Sequence, residues 1–297
     1  MYSHFLSKLL MDSVLPLCSS VFSVVNDFCR RINRAIIAST LPVCLCLSAL
    51  AQQSLKVCAD PDNLPYSNRA RQGFENRIAE LLARDMNRKL VYHWSRMGRG
   101  FVRDVLNKNE CDVLIEIPRT FPRILTTPAY FSSSYVFVTR KSRNIDVSSF
   151  DDSVLRHLEI GIQVLDDDYA PPAQALARRG VIGNIIGFDT TGTDAGDIIR
   201  AVATRKIDLA IVWGPLAGYY ARQYGNTLTL TPVPAFDSPG IPFRYEISMG
   251  VRKSDKELRD KLTEFLNRRK FAITRVLRSY GVPLIVASDQ RAALGGN

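Results

Sequence analysis

The chain is poor in residues of the type and spacing that do covalent chemistry. Past a leader read from residues 1–51 it holds two histidines, His93 and His157, and neither adjoins a serine or cysteine elbow. HExxH, CxxC and GxSxG are all absent. A zinc hydrolase or an activated nucleophile needs such a set, because ligands or base must share one face at fixed spacing. His93 alternates with apolar neighbours and reads as a structural strand residue. Asp166, Asp167 and Asp168, with Asp60 and Asp62, raise the chemistry of a hard cation. Such an ion wants six or more converging oxygens, and adjacent aspartates in one loop cannot all face it. Helix capping and solvation are their expected roles. The expectation is a non-enzyme, with no metal and no cofactor of its own.

Binding chemistry is better represented. Asp60 closes the first predicted strand, where its carboxylate either accepts hydrogen bonds from a ligand or caps the loop PDNLPYSN through an Asx turn. Tyr66, Phe74, Tyr130 and Trp213 are candidates for the walls of a cleft, although Trp213, on an apolar strand, also suits a core. Gly214, followed by Pro215, opens a helix whose first N–H groups could face an anion.

The elements that position these residues follow from hydropathy patterning. DLAIVWGP, from Asp208, is a short apolar run between an aspartate and a Gly-Pro turn, as for a strand covered on both faces. DVLIEIP, from Asp112, repeats the plan. Each follows a helix-like segment ending in a polar, basic turn. In chain order we read strands over 54–60, 89–94, 112–117, 134–140, 158–164, 181–188, 209–213, 228–233 and 245–251. Helices are read over 73–88, 100–108, 171–179, 194–205, 216–225 and 254–269, with a further one ending at Tyr280. Ser254 and Glu257 have the spacing of a capping box. Alternating strands and helices imply parallel sheets with right-handed crossovers. The strand near 134–140 leaves the first unit and the strand near 245–251 returns to it. Two crossings permit hinge closure around a ligand. The fold class is therefore α/β, a two-lobed clamshell of mostly parallel sheets flanked by helices. Residues 52–137 plus 247–285 form lobe 1, 138–246 form lobe 2, and 286–297 are a mobile tail.

Residues 30–51, RRINRAIIASTLPVCLCLSALA, have a basic start, an apolar stretch too short for a comfortable membrane span, and a small-x-small site. We expect export to the periplasm with cleavage after Ala51. Of six cysteines, only Cys58 and Cys111 follow that site. In an exported chain they either bond or remain two buried thiols; on neighbouring parallel strands their offset could exceed the roughly 7 Å limit for a bridge. Net charge is +10. Residues 1–51 hold four basic and two acidic groups, which leaves 35 basic against 27 acidic groups, or +8, on the rest. The basic residues are scattered without aromatic interleaving, so nucleic acid is not an expected partner.

CADPDNLPYSN, GFENRIAELLA, CDVLIEIP, TTPAYFSSSYVFV, DDDYAPPAQALARRG, DLAIVWGPLAGYYA and FRYEISMGVRKSDKELRDKL, in that order over about residues 54–285, together resemble the MoxJ/XoxJ family. Those proteins belong to extracellular solute-binding protein family 3, with the type II periplasmic binding protein fold. The resemblance implies a non-enzymatic periplasmic protein that assists or activates a quinoprotein methanol dehydrogenase. That partner carries pyrroloquinoline quinone (PQQ) and calcium or a lanthanide. The wider family implies an alternative, an ABC-transporter receptor for a small polar molecule such as an amino acid. Arg123 lies where amino-acid-binding relatives present an arginine to the α-carboxylate, a bidentate charge-assisted pair. Its spacing to TTPAY differs from theirs, and pinning the loop through a buried ion pair is the other reading. Two departures stand out: Glu116 occupies a strand position expected to be apolar or small, and the segment from Trp94 to Gly98 is less aromatic than the family leads one to expect.

Overall fold

The structure, a computed structural model, describes residues 52–98, 100–165, 168–237 and 240–285. The leader with its cleavage position, Asp166, Asp167 and the tail lie outside the described residues. Strand β1 (Ser54–Ala59) enters a loop closed by the short pair β2 (Asp62–Asn63) and β3 (Ser67–Asn68). Helix α1 (Phe74–Asp85), β4 (Lys89–Trp94), a π-helical turn (Val102–Leu106), β5 (Val113–Pro118) and the short β6 (Leu125–Thr126) complete the first unit's opening half. The ten-residue β7 (Phe131–Arg140) then leaves it. The second unit runs β8 (Ile160–Leu165), short β9 (Asp168–Tyr169), α2 (Pro172–Arg178), β10 (Ile185–Asp189), α3 (Asp197–Ala203), β11 (Leu209–Trp213), α4 (Gly214–Ala221) and β12 (Leu228–Pro232). The pair β13 (Phe236–Asp237) and β14 (Ile241–Pro242) leads to β15 (Arg244–Val251), which returns, and α5 (Lys256–Ser279) follows.

The two units share one topology. In the first, β1 lies between β4 and β5, all parallel; in the second, β8 lies between β10 and β11, all parallel. β5 and β11, the strands of DVLIEIP and DLAIVWGP, hold equivalent places, each with an antiparallel crossing strand on its other side. The crossing strands serve both units. β7 pairs with β15 over Phe131 to Ser134, and with β11 and β12 from Tyr135 to Arg140. The path β10-β8-β11-β7-β15-β5-β1-β4 is therefore parallel at both ends and antiparallel where the chain crosses. A parallel βαβ unit must bury both faces. Accordingly Leu209 and Ile211 pack into one core of the second unit, and Ala210 and Val212 into another on the opposite face.

Several local expectations are corrected. The helix expected over 100–108 is only the π-helical turn 102–106. The strand expected from Val181 starts at Ile185, because Asn184 turns its amide onto the carbonyls of Leu155 and Leu158 and ties the preceding residues into a loop. The two C-terminal helices are one 24-residue helix, α5. No Gly or Pro interrupts it, and Leu262, Phe265, Leu266, Ile273 and Leu277 keep one buried stripe throughout. It stops at Gly281, whose φ of 76° an L side chain resists. Its N-cap is Asp255, to which Ser254 donates; Glu257 pairs with Lys261 instead of closing a capping box. Cys58 and Cys111 are bonded, with Cα atoms 5.3 Å apart. Cys111 precedes β5, on the connection from the π-helical turn, so the offset along the parallel ladder does not set their separation.

Candidate functional site

A cavity of about 360 Å³ opens between the two units. The carboxyl ends of parallel strands converge on it, as expected of α/β sheets. β5 supplies Glu116, Ile117 and Pro118, β8 supplies Gln163 and Leu165, and β11 supplies Trp213. The loop after β1 adds Asn63 and Tyr66, and the crossing strands add Tyr135 and Tyr245. Three of the rings touch edge to face: Trp213 lies 5.4 Å from Tyr135 and 5.6 Å from Tyr245, centroid to centroid. The two units also meet at the rim. Arg96 Nη2 donates to Thr191 Oγ1 at 2.9 Å, and the Tyr220 hydroxyl donates to the Leu64 carbonyl at 3.3 Å. Beside this lies a second cavity of about 360 Å³, lined in part by Asp60, Asp62, Arg96 and Asp189.

Carboxylates dominate the electrostatics under the cavity. Glu75, in the first turn of α1, is 3% exposed, and its Oε2 has no hydrogen-bond partner. Burial, and then the charge of Asp60, push its pKa up to about 8. Glu116 lines the cavity, and its Oε2 is buried without a partner. Burial, and then the charge of Glu75, hold its carboxyl well above the ordinary range. The hydroxyls of Tyr66 and Tyr130 are raised by burial and by the same carboxylates. A buried carboxylate without a partner is costly when ionised, so this pair keeps its protons near neutral pH. Two polar groups nearby are committed elsewhere, although the Asn76 amide nitrogen is buried without a partner. Asn76 Oδ1 accepts the N–H of Gly73 at 3.1 Å, and the Tyr130 hydroxyl donates to the Ile115 carbonyl at 2.9 Å.

The sequence-derived candidates divide between the cavities, the core and the surface. Tyr66 and Trp213 line the first cavity. Asp60 lines the second, and its carboxylate closes the loop: Oδ1 accepts the N–H of Asp62 at 2.9 Å, an Asx turn, and Oδ2 accepts the N–H of Met97 at 2.7 Å. Phe74 is fully buried between Tyr66 and Tyr280, at 5.4 and 5.9 Å, and does not line the cavity. Tyr130 borders a separate hollow of about 130 Å³ beside α5. Gly214 lets α4 press on β7; a Cβ there would stand 2.6 Å from the Ser134 carbonyl oxygen. Arg123 is exposed, at a φ of 75°, and joins neither cavity lining nor a buried ion pair.

Sequence reasoning did not select Gln163, Thr190, Tyr135 or Tyr245. Gln163 is 3% exposed; its amide donates to Thr190 Oγ1 at 3.0 Å and accepts the N–H of Trp213. A glutamine inside the apolar run IGIQVL was the available signal. Glu116 broke the apolar pattern of β5 in the same way. Among the described residues, no group of three or more His, Cys, Asp or Glu is placed to hold a metal ion. No described helix is long and apolar enough to cross a membrane.

Residues 55–274 match the bacterial extracellular solute-binding proteins, family 3. Protein MoxJ of Methylorubrum extorquens is 31% identical over 257 residues, covering 80% of this chain and 83% of its own. The crystal structure of the periplasmic binding protein XoxJ from Methylobacterium extorquens AM1 is 35% identical, with a TM-score of 0.65 over 78% of this chain and 99% of its own. That of MxaJ from Methlophaga aminisulfidivorans MPT is 27% identical, with a TM-score of 0.69 over 78% of this chain and 100% of its own.

Proposed function

The chain belongs to the bacterial extracellular solute-binding proteins, family 3, and with its MoxJ-type relatives as premise we propose that it is a periplasmic, non-enzymatic accessory protein. Its partner is a PQQ-dependent methanol dehydrogenase, which it assists or activates through protein contact. The leader, cleaved after Ala51, delivers it to the periplasm. Lobe 1, residues 52–137 plus 247–285, and lobe 2, residues 138–246, form the scaffold.

The observation that carries this reading over an amino-acid receptor is the cavity lining. Its ionised-type side chain is Glu116, and no Lys or Arg stands among its described residues. An α-carboxylate, or an anionic cofactor such as PQQ, needs a cationic fork or an equivalent set of donors. Arg123, one of whose two expected roles was to supply that fork, is exposed. The accessory role therefore rests on an outer surface. The net charge of +8 on residues 52–297 favours an acidic partner.

The test is a pull-down from periplasmic extract with residues 52–297 as bait, read by mass spectrometry, followed by assay of the dehydrogenase with and without added chain. We expect recovery of a dehydrogenase subunit and a higher active fraction. Absence of the dehydrogenase, together with thermal stabilisation by an amino acid, would replace this reading with the receptor one.

A further inference from the structure

We infer that the cavity between the two units binds a small organic ammonium ion with an apolar body, Glu116 supplying the counter-charge and Tyr66, Tyr135, Trp213 and Tyr245 the walls. The reading goes beyond the accessory role and does not depend on it.

Three observations carry it. First, the walls are aromatic on several sides, and ring faces attract a cation within about 6 Å of their centroids. Second, Glu116 is the one carboxyl among the described lining residues, and several polar groups beside it are already engaged. The Gln163 amide is used on both sides, by Thr190 and Trp213. The Thr191 hydroxyl sits between Asp189 and Arg96, and the Tyr245 hydroxyl donates to the Pro242 carbonyl at 3.1 Å. Glu116, in contrast, keeps a buried oxygen without a partner. Buried polar groups are normally paired, and Glu116 lines the cavity, so its incompletely paired carboxyl is a place for a cationic donor once ionised. Third, the lining has no cation to compete for that carboxyl or to hold an anion. A carboxylate-bearing ligand would find no Lys or Arg among the described lining residues to hold it, which separates this class from the amino acids.

The site works by exchange. Glu116 is protonated in the free protein, because burial disfavours its ionised form. An incoming ammonium ion brings one positive charge and three N–H donors; the Glu116 proton leaves to solvent, and the site's charge is unchanged. The titratable groups facing Glu116 are Glu75 on α1, Tyr66 in the loop after β1 and Tyr130 before β7; Asp60 acts through Glu75. Burial of the carboxyl opposes loss of the Glu116 proton, Glu75 keeping its own proton near neutral pH, and the ligand's charge favours that loss.

The experiment is titration calorimetry of residues 52–297 with benzylammonium chloride, benzyl alcohol and sodium benzoate. We expect benzylammonium to bind at least about tenfold more tightly than the alcohol, and benzoate not to bind. The heat should vary with buffer ionisation enthalpy, as for release of about one proton, and affinity should rise about tenfold from about pH 6 to about pH 7. Glu116→Gln should weaken binding by about tenfold or more and abolish the proton release. Tyr245→Leu should weaken binding and keep the proton release, which leaves a readout if the first variant does not fold. Equal affinity for the alcohol or benzoate, unchanged affinity in folded Glu116→Gln, or no binding of benzylammonium up to about 10 mM would overturn the assignment.

Discussion

Arg252 and Arg140 make the same bonds in opposite units of the molecule. Arg252, just past β15, donates to the carbonyls of Leu106 and Cys111 and pairs with Asp112 at 3.3 Å. Arg140, at the end of β7, donates to the carbonyls of Val202 and Ile207 and pairs with Asp208 at 3.5 Å. Each aspartate also accepts the N–H of a residue at the start of its unit's central strand, Lys56 at 2.9 Å and Glu159 at 3.2 Å. One arginine thus satisfies carbonyls left over at a helix end and fastens the crossing strand to the loop before the third parallel strand. This is why the aspartates of DVLIEIP and DLAIVWGP stand where they do.

Arg140 is 9% exposed, so its replacement strands the buried Val202 and Ile207 carbonyls and leaves Asp208 to Arg143, at 3.1 Å. Arg140→Ala should cost roughly 3 kcal/mol of unfolding free energy in urea titration. Arg140→Lys should recover only part of that loss, because one ammonium cannot reach all three acceptors in the planar geometry of a guanidinium. Full recovery by lysine would show that charge alone matters.

Glu75 sets a pH dependence. Its ordinary value of 4.5 holds in the unfolded chain, and the folded value is about 8. Below 4.5 both states hold the proton, and its stabilising contribution is complete. Between the two values the unfolded chain binds fewer protons, so stability falls as pH rises through about 8. Thermal melts of Glu75→Gln should show a shallower decline from pH 5 to about 8 than the parent, and a higher Tm at the upper end. An unchanged slope would assign the dependence elsewhere.

The Cys58–Cys111 bridge spans 53 residues of sequence. In the chain-entropy account a loop of that size stabilises by about 4 kcal/mol. A double Cys58→Ala, Cys111→Ala variant should therefore lose several degrees of Tm, and dithiothreitol should not lower its Tm further. The bridge fastens β1 to the approach of β5, so the variant should also loosen Glu116, read as faster hydrogen exchange in β5.

Gly73 admits no side chain: a Cβ would stand 1.9 Å from the carbonyl oxygen of Tyr66, a backbone atom that cannot step aside cheaply. Gly73→Ala should destabilise by about 2 kcal/mol or more and displace Tyr66 from the cavity wall. Near-parental stability with an unchanged tyrosine environment by near-ultraviolet dichroism would show that the loop relaxes.

The chain's own pattern determined the unit plan. Short apolar runs such as LAIVW, too brief for helices and free of polar alternation, could only be strands covered on both faces, and intervening amphipathic segments had to be the covers. The leaving and returning strands were legible for the same reason, as was the opening of α1 at Gly73. Periodicity reports which face of an element is buried, and that is a local property. Tertiary structure decided what met across the gap between units. Tyr135 and Tyr245 become cavity walls because β7 and β15 cross there side by side, with Trp213 of the second unit against both. Phe74, an equally plausible wall by type, goes to the core, and Arg123 goes to solvent because its loop turns outward at a positive φ. Glu116 and Gln163 left a trace in the sequence as polar residues in apolar strands. That trace marks a departure from pattern without naming its use, because a side chain's partners depend on elements a hundred residues away, brought together only by folding.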